Sequence, residues 1–403
     1  MGIQYNIQDT ENLHHGLPNR DEAYQKFDHD LVRKFEKCRF EIDEPADNLG
    51  LFIKANPQQG WPLFEQALAR GIDNVPNAPA EITDFFEKER VPGWVDWEQL
   101  ERAGTAIWRP GTLALLILAR VTTPAILLSP PSTQSMAKTG VLQKNTESRA
   151  VETATWFAEA TKPGNLKPGT EGYKLTIRIR LIHAFARITL ANTNWDYEKF
   201  GLPINQERTT TGAANMFSTT FIDGAKTLGI YYNKRERDDI YALWRYLGYL
   251  LGSDEDLLMK NEDEARAQSA LATLTDPQAD IAGQRLSKAT TEETPVLDRV
   301  LIDAAMPVIG KLLKPGPQFN AMKYAITRRA LGGEDADELA MPKSIIWPYL
   351  IDAARPALYL IDQSKKYLVS KKRGKKSAIK FIDQLLSKLH KETGHSGKMI
   401  DNS

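Results

Sequence analysis

RIRLIHAFAR, residues 178–187, places one imidazole, His183, in an apolar run with Arg180 three residues before it and Arg187 four residues after. A neutral imidazole offers a ring-nitrogen lone pair that can ligate a metal or accept a proton. Whether the two arginines act on it depends on the backbone. On a strand, Arg180 and His183 face opposite ways. On a helix all three side chains lie within about 60° of one another, because each residue advances about 100°. YKLTIRIRL (173–181) alternates like a strand, whereas LIHAFARITLAN spaces Leu181, Phe185, Ile188 and Leu190 like a helix. Pattern alone leaves both readings open.

A second constellation lies in NTESRAVETATWF, where Arg149, Glu152, Thr153 and Trp156 share one face if the segment is helical. The plain reading is an exposed face with an Arg149–Glu152 ion pair, worth about 0.2–0.5 kcal/mol. Thr153 and Trp156 point instead to partial burial. Spacing does not choose between these readings.

Other chemistries lose support. Of the histidines His14, His15, His29, His183, His390 and His395, five lie in terminal segments, which argues against a multi-histidine zinc or non-haem iron site in the body. Cys38 is alone, so an intrachain disulfide and any CxxC motif are excluded. SMAKTG overlays two elements of penicillin-binding enzymes on the same Lys138, where those enzymes keep them far apart; we read it as coincidence. GxSxG, Walker and post-strand GxGxxG motifs are absent. His183 is then either a core histidine satisfied by hydrogen bonds or an axial ligand of haem, which needs only one histidine. Cationic neighbours would keep the ring neutral for iron, and guanidinium groups are shaped to pair with propionates.

These residues must be held by something helical. Across 403 residues, apolar stripes at helical spacing recur between Gly and Pro breakers, as in RERDDIYALWRYLGYLLG, and no hairpin series appears. The expected fold is all-α. We expect a loose leader at 1–21, one large domain at 22–365 and a basic tail at 366–403 with a terminal helix in FIDQLLSKLH. LALLILARVTTPAILL (113–128) is short for a membrane span and reads as a core helix ending near Pro124. Lys+Arg and Asp+Glu are both 52, so no global basic field favours nucleic acid. KKYLVSKKRGKKSAIK is read as a solvated run. The polar N-terminus carries no signal-peptide core, and the single cysteine fits a reducing compartment, so a cytoplasmic location is expected.

Taken together, RAVET followed some thirty residues on by RIRLIHAFAR resembles the catalytic domain of the rubber oxygenases (latex-clearing proteins) and MpaB-type oxygenases. VPGWVDWEQLERAG, MAKTGVL and WDYEKFGLPINQ with YALWRYLGYLLG extend the likeness over about residues 25–260, more weakly to 360. The resemblance implies one large helical domain enclosing a b-type haem, with dioxygen as co-substrate and an apolar, isoprenoid-like small molecule as substrate. It matches His183 to the proximal iron ligand, Arg180 and Arg187 to the arginines around it, and Arg149, Glu152 and Thr153 to the other side of the haem. Rubber-cleaving members carry a lysine where this chain has Glu152. Their upstream acidic residue falls in SPPSTQSMAK, which has no carboxylate. Polymer cleavage is therefore not expected. The alternatives are a haem peroxidase or peroxygenase, and a non-catalytic haem sensor or helical interaction protein.

Overall fold

The computed structural model describes residues 17–87, 90–140, 146–305, 316–368 and 371–394. His14, His15 and His395, residues 1–16 of the leader and residues 306–315 lie outside them. Among the described residues the fold is all-α, with no strand.

RIRLIHAFAR belongs to a helix, Glu171–Leu190, that packs against Glu44–Ala55, Thr146–Thr161 and Lys234–Leu250. The strand-like alternation before it has a physical cause: polar residues are buried there too. Thr176 is fully buried, donating to the Gly172 carbonyl at 2.7 Å and accepting from Trp156 Nε1 at 3.1 Å. Arg180 is buried as well. Two of the four alternating polar residues, Thr176 and Arg180, thus mark internal hydrogen bonds, while Lys174 and Arg178 are half-buried. Gly172 opens the helix because any Cβ there would stand 2.3 Å from the Glu159 carbonyl oxygen.

The run LALLILARVTTPAILL departs from expectation. It does not stop near Pro124 but continues through it as Leu113–Leu127, with a π-helical turn at Leu118–Thr122. Proline lacks an N–H and clashes with the carbonyl four residues back. The wider turn absorbs this, so Pro124 sits in the first turn of the resumed α-helix, where a missing N–H costs least. This segment and Trp97–Trp108 meet at 85°, and no single helix among the described residues is long and apolar enough to cross a membrane.

Two long helices end the described chain, Trp347–Leu368 and Lys371–Thr393. The second is part of the core. Ala378, Ile382, Leu385, Leu386 and Leu389 are buried against Trp97–Trp108, Thr146–Thr161 and Pro295–Ala305. His390 Nε2 lies 3.0 Å from Thr155 Oγ1, which ties the terminal helix to the one that carries Arg149.

Candidate functional site

Helix Glu171–Leu190 is fixed in place by its two arginines. Arg180 donates through Nε and Nη2 to the Asp43 carboxylate at 2.5 and 2.8 Å, and its guanidinium lies 4.3 Å from the Phe85 ring centre. Arg187 donates through Nε to Asp47 Oδ1 at 2.6 Å and through Nη1 to the Ile204 carbonyl at 3.3 Å. Both arginines and both aspartates are buried. Asp43 also caps helix Glu44–Ala55 by accepting from Ala46 N–H, and Asp47 sits in its first turn. The helix dipole favours carboxylates at that end. Each buried cation therefore meets a carboxylate that its own helix already stabilises.

Two backbone features close around these pairs. At Gly252, φ is +88° and a Cβ would lie 2.1 Å from Asp43 Oδ2. Ile204 adopts φ +48°, a strained value for a β-branched residue, while its carbonyl accepts from Arg187. The segment WDYEKFGLPINQ is latched nearby, with Gln206 Nε2 donating to the Gly252 carbonyl at 2.9 Å. Behind it, Arg208 is buried between Glu207 and Asp276. Burial pushes the Glu207 carboxyl above its ordinary range.

His183 sits between the two anchored arginines on the same stripe. The side chain is half-buried, yet its Nδ1 is buried without a hydrogen-bond partner. Burial, the Arg187 charge and the Arg149 charge lower its pKa to about 4 against an opposing pull from Asp43. The ring is neutral near pH 7. Ile179, Ile182 and Ala186 are also half-buried, so this face is less completely covered than the rest of the helix.

Helix Thr146–Thr161 supplies the other constellation. Arg149 Nη1 donates to Glu152 Oε2, and both come from the helix packed along the one that carries His183. Glu152 is buried, so the expected ion pair forms but is not a solvated surface pair. Arg149 Nε is buried without a partner, and Thr153 is half-buried. Trp156 packs edge-on against Phe217 at 5.3 Å, and Phe217 stacks on Trp244 at 4.7 Å. Phe217 belongs to a second π-helical run, Gly212–Thr219, where half-buried Asn215 and Met216 precede it. The structure thus brings a neutral imidazole, a cation–carboxylate pair, a hydroxyl and an aromatic wall onto neighbouring helices.

Sequence reasoning missed Asp43 and Asp47. Their signal was DEPAD, a helix start with carboxylates four residues apart, but nothing in sequence assigns its partners. SPPSTQSMAK, which has no carboxylate of its own, is bound by Asp280, which accepts from Thr133 Oγ1 at 3.2 Å and Gln134 Nε2 at 2.6 Å. Among the described residues no group of three or more His, Cys, Asp or Glu side chains converges as a metal site. Cys38 is buried, and burial pushes its thiol pKa up.

Comparison with known proteins places this arrangement. No curated protein sequence matches the chain. Among solved structures, one titled "Structure of Latex Clearing Protein LCP in the closed state" superposes with a TM-score of 0.62 at 17% identity, covering 87% of this chain and 91% of that one. That likeness is one of fold. The profile of the family described as "ER-bound oxygenase mpaB/B'/Rubber oxygenase, catalytic domain" matches residues 105–358. The match begins after VPGWVDWEQLERAG, later than the resemblance suggested, and takes in both Arg149 and His183. It spans more than half of the sequence, and the chain belongs to this family of oxygenase catalytic domains.

Proposed function

We propose that the protein is a haem b-dependent oxygenase that binds the iron through His183 and uses dioxygen to cleave a C=C bond in an apolar, isoprenoid-like small molecule. The observation that carries this reading is the state of His183. A core histidine satisfied by hydrogen bonds would not leave a buried ring nitrogen unpartnered, which costs about 1–3 kcal/mol. Its ring is neutral, as an axial ligand requires, and the side chain is only half-buried. The residues present therefore fit the group that the family implies. When bound, haem iron supplies the binding and activation of dioxygen.

The chain's own residues do the rest. Arg180 and Arg187 act as positioning residues: their guanidinium groups are engaged by Asp43 and Asp47, so they orient the histidine helix. The Arg149 charge disfavours imidazolium at His183. Glu152 holds or moves a proton at its carboxylate oxygens beside the Arg149 cation, and the Thr153 hydroxyl offers a further donor on the same helix. Trp156, Phe217 and Trp244 exclude water from one wall and give an alkene apolar surface to lie against.

The pairing of half-buried Arg149 with buried Glu152 also favours a second reading, a peroxygenase, because a carboxylate beside a cation can take a proton from hydrogen peroxide. Turnover of a short isoprenoid alkene under isotopically labelled dioxygen separates the readings. The oxygenase incorporates label from dioxygen. A peroxygenase takes it from labelled peroxide instead, and no incorporation from either source leaves a haem sensor.

A further inference from the structure

Helix Trp347–Leu368 sits on the body with its polar side inward. Asp362 accepts from Arg109 Nε and Nη2 at 2.7 and 3.0 Å, Lys366 donates to Glu236 at 3.1 Å, and Asp352 pairs with Arg329 at 2.5 Å. Its apolar side faces out. At about 100° per residue, Ile346, Tyr349, Leu350, Leu360, Ile361 and Tyr367 fall within a sector of about 120°, with Ala353 and Ala357 between them. Tyr349 is 73% exposed, Leu360 66% and Tyr367 76%. The stripe runs about 30 Å along the helix. A helix on a soluble protein ordinarily buries such a stripe, and one this long marks a contact surface.

The surroundings indicate what covers it. Exposed Lys365, Lys372, Arg373 and Lys376 crowd its C-terminal end. The opposite end, MPKSIIWPYL, holds no carboxylate of its own, and its Lys343 pairs with Asp337 at 3.2 Å. A second copy laid parallel along the stripe would set the two cationic C-terminal ends together, and an antiparallel copy would set each against a segment without a carboxylate. An anionic lipid surface complements them. Apolar side chains enter the acyl boundary, lysines meet lipid phosphates, and tyrosines suit the headgroup level. Beside the stripe opens a cavity of about 1550 Å³ between the two C-terminal helices and Trp97–Trp108, walled by Leu113, Leu116, Met322 and Phe381. Leu350 and Ile361 belong to both stripe and cavity, so the apolar surface is continuous from the outer face inward.

We infer that this face docks the protein on an anionic lipid bilayer. The inference is independent of the oxygenase reading, since binding is measured without turnover. The test is co-sedimentation of the full chain with vesicles of phosphatidylcholine alone and of phosphatidylcholine mixed with phosphatidylserine, at low and raised salt. The protein pellets with the phosphatidylserine vesicles, at least about tenfold more strongly than with phosphatidylcholine alone, and salt weakens it. Leu360→Glu with Ile361→Glu keeps the thermal melt of the wild type and loses at least about tenfold in partition. Lys372→Glu with Lys376→Glu abolishes the preference for phosphatidylserine. Wild type that stays in the supernatant with both vesicle types overturns the inference, as does undiminished pelleting of the Leu360→Glu/Ile361→Glu variant. A dimer by light scattering that this variant converts to monomer, with no vesicle binding, assigns the stripe to a second copy and overturns it too.

Discussion

Helix Glu171–Leu190 carries Arg180 and Arg187 into the core, each against its own aspartate, whereas Trp347–Leu368 turns Asp362 and Lys366 toward the body and leaves Leu360 and Tyr367 in solvent. Both depart from the usual placement of charge and apolar surface. In the first helix the reversal is complete within the molecule, because the buried cations have carboxylates and are ringed by further acceptors. Such pairs add little net stability over apolar packing, but breaking one is severe, so their effect is to fix position. In the second helix, ion pairs hold the element in place while its apolar face stays open to solvent. The first arrangement belongs to a site and the second to a surface.

The comparison breaks most readily at Asp43. Asp43→Ala leaves Arg180 buried without that carboxylate and removes a helix cap, and the expected loss is about 3–5 kcal/mol in a urea melt. Arg180→Met in the same background recovers part of it, since the uncompensated charge is gone. A loss under about 1 kcal/mol would mean that the pair does not anchor the helix.

A third region sharpens the point by pairing its charges unequally. Arg120 and Lys323 are both buried beside Asp298, with Lys323 Nζ donating to Asp298 Oδ2 at 2.6 Å. Burial and the Arg120 charge depress the Lys323 pKa from 10.5 to about 8. Between those values the unfolded chain binds more protons than the folded one, so stability rises with pH across pH 8 to 10.5, by up to about 3 kcal/mol. Lys323→Met should flatten that rise, as read from melts at several pH values. An unchanged slope would show that Lys323 is not the group responsible.

Smaller effects follow at the edges of the two helices. Gly252→Ala forces a Cβ against Asp43 Oδ2 at φ +88° and should cost about 1–3 kcal/mol in the same urea melt. Leu360→Glu should change stability by no more than about 0.5 kcal/mol, because the side chain it replaces already faces solvent. A large loss there would mean that the stripe packs on the body after all.

Much of this was legible in sequence, for reasons that differ by element. The all-α fold followed from apolar spacing such as that of RERDDIYALWRYLGYLLG, which forms the helix Lys234–Leu250. The Arg149–Glu152 pair followed from i,i+3 geometry, but the burial of Glu152 did not, since burial depends on what packs over it. YKLTIRIRL resisted reading because Thr176 and Arg180, two of its four polar residues, are buried through internal hydrogen bonds. Asp43 and Asp47 were beyond reach because their partners lie 137 and 140 residues away. The outward stripe in IIWPYLIDAARPALYLI was not legible, because periodicity reports that a helix has an apolar side and not which way that side faces. The family resemblance supplied what spacing left open, the pairing of RAVET with RIRLIHAFAR.

The central claim is that His183 is the protein ligand of a haem iron, and the absorption spectrum of the purified protein, expressed with ample haem precursor, tests it most directly. Wild type should show a Soret band with haem near one per chain. His183→Ala, which keeps a good helix former at that position, should stay folded and lose most of that band. A colourless wild type, or a His183→Ala variant that keeps the band unchanged in position and intensity, would contradict the account.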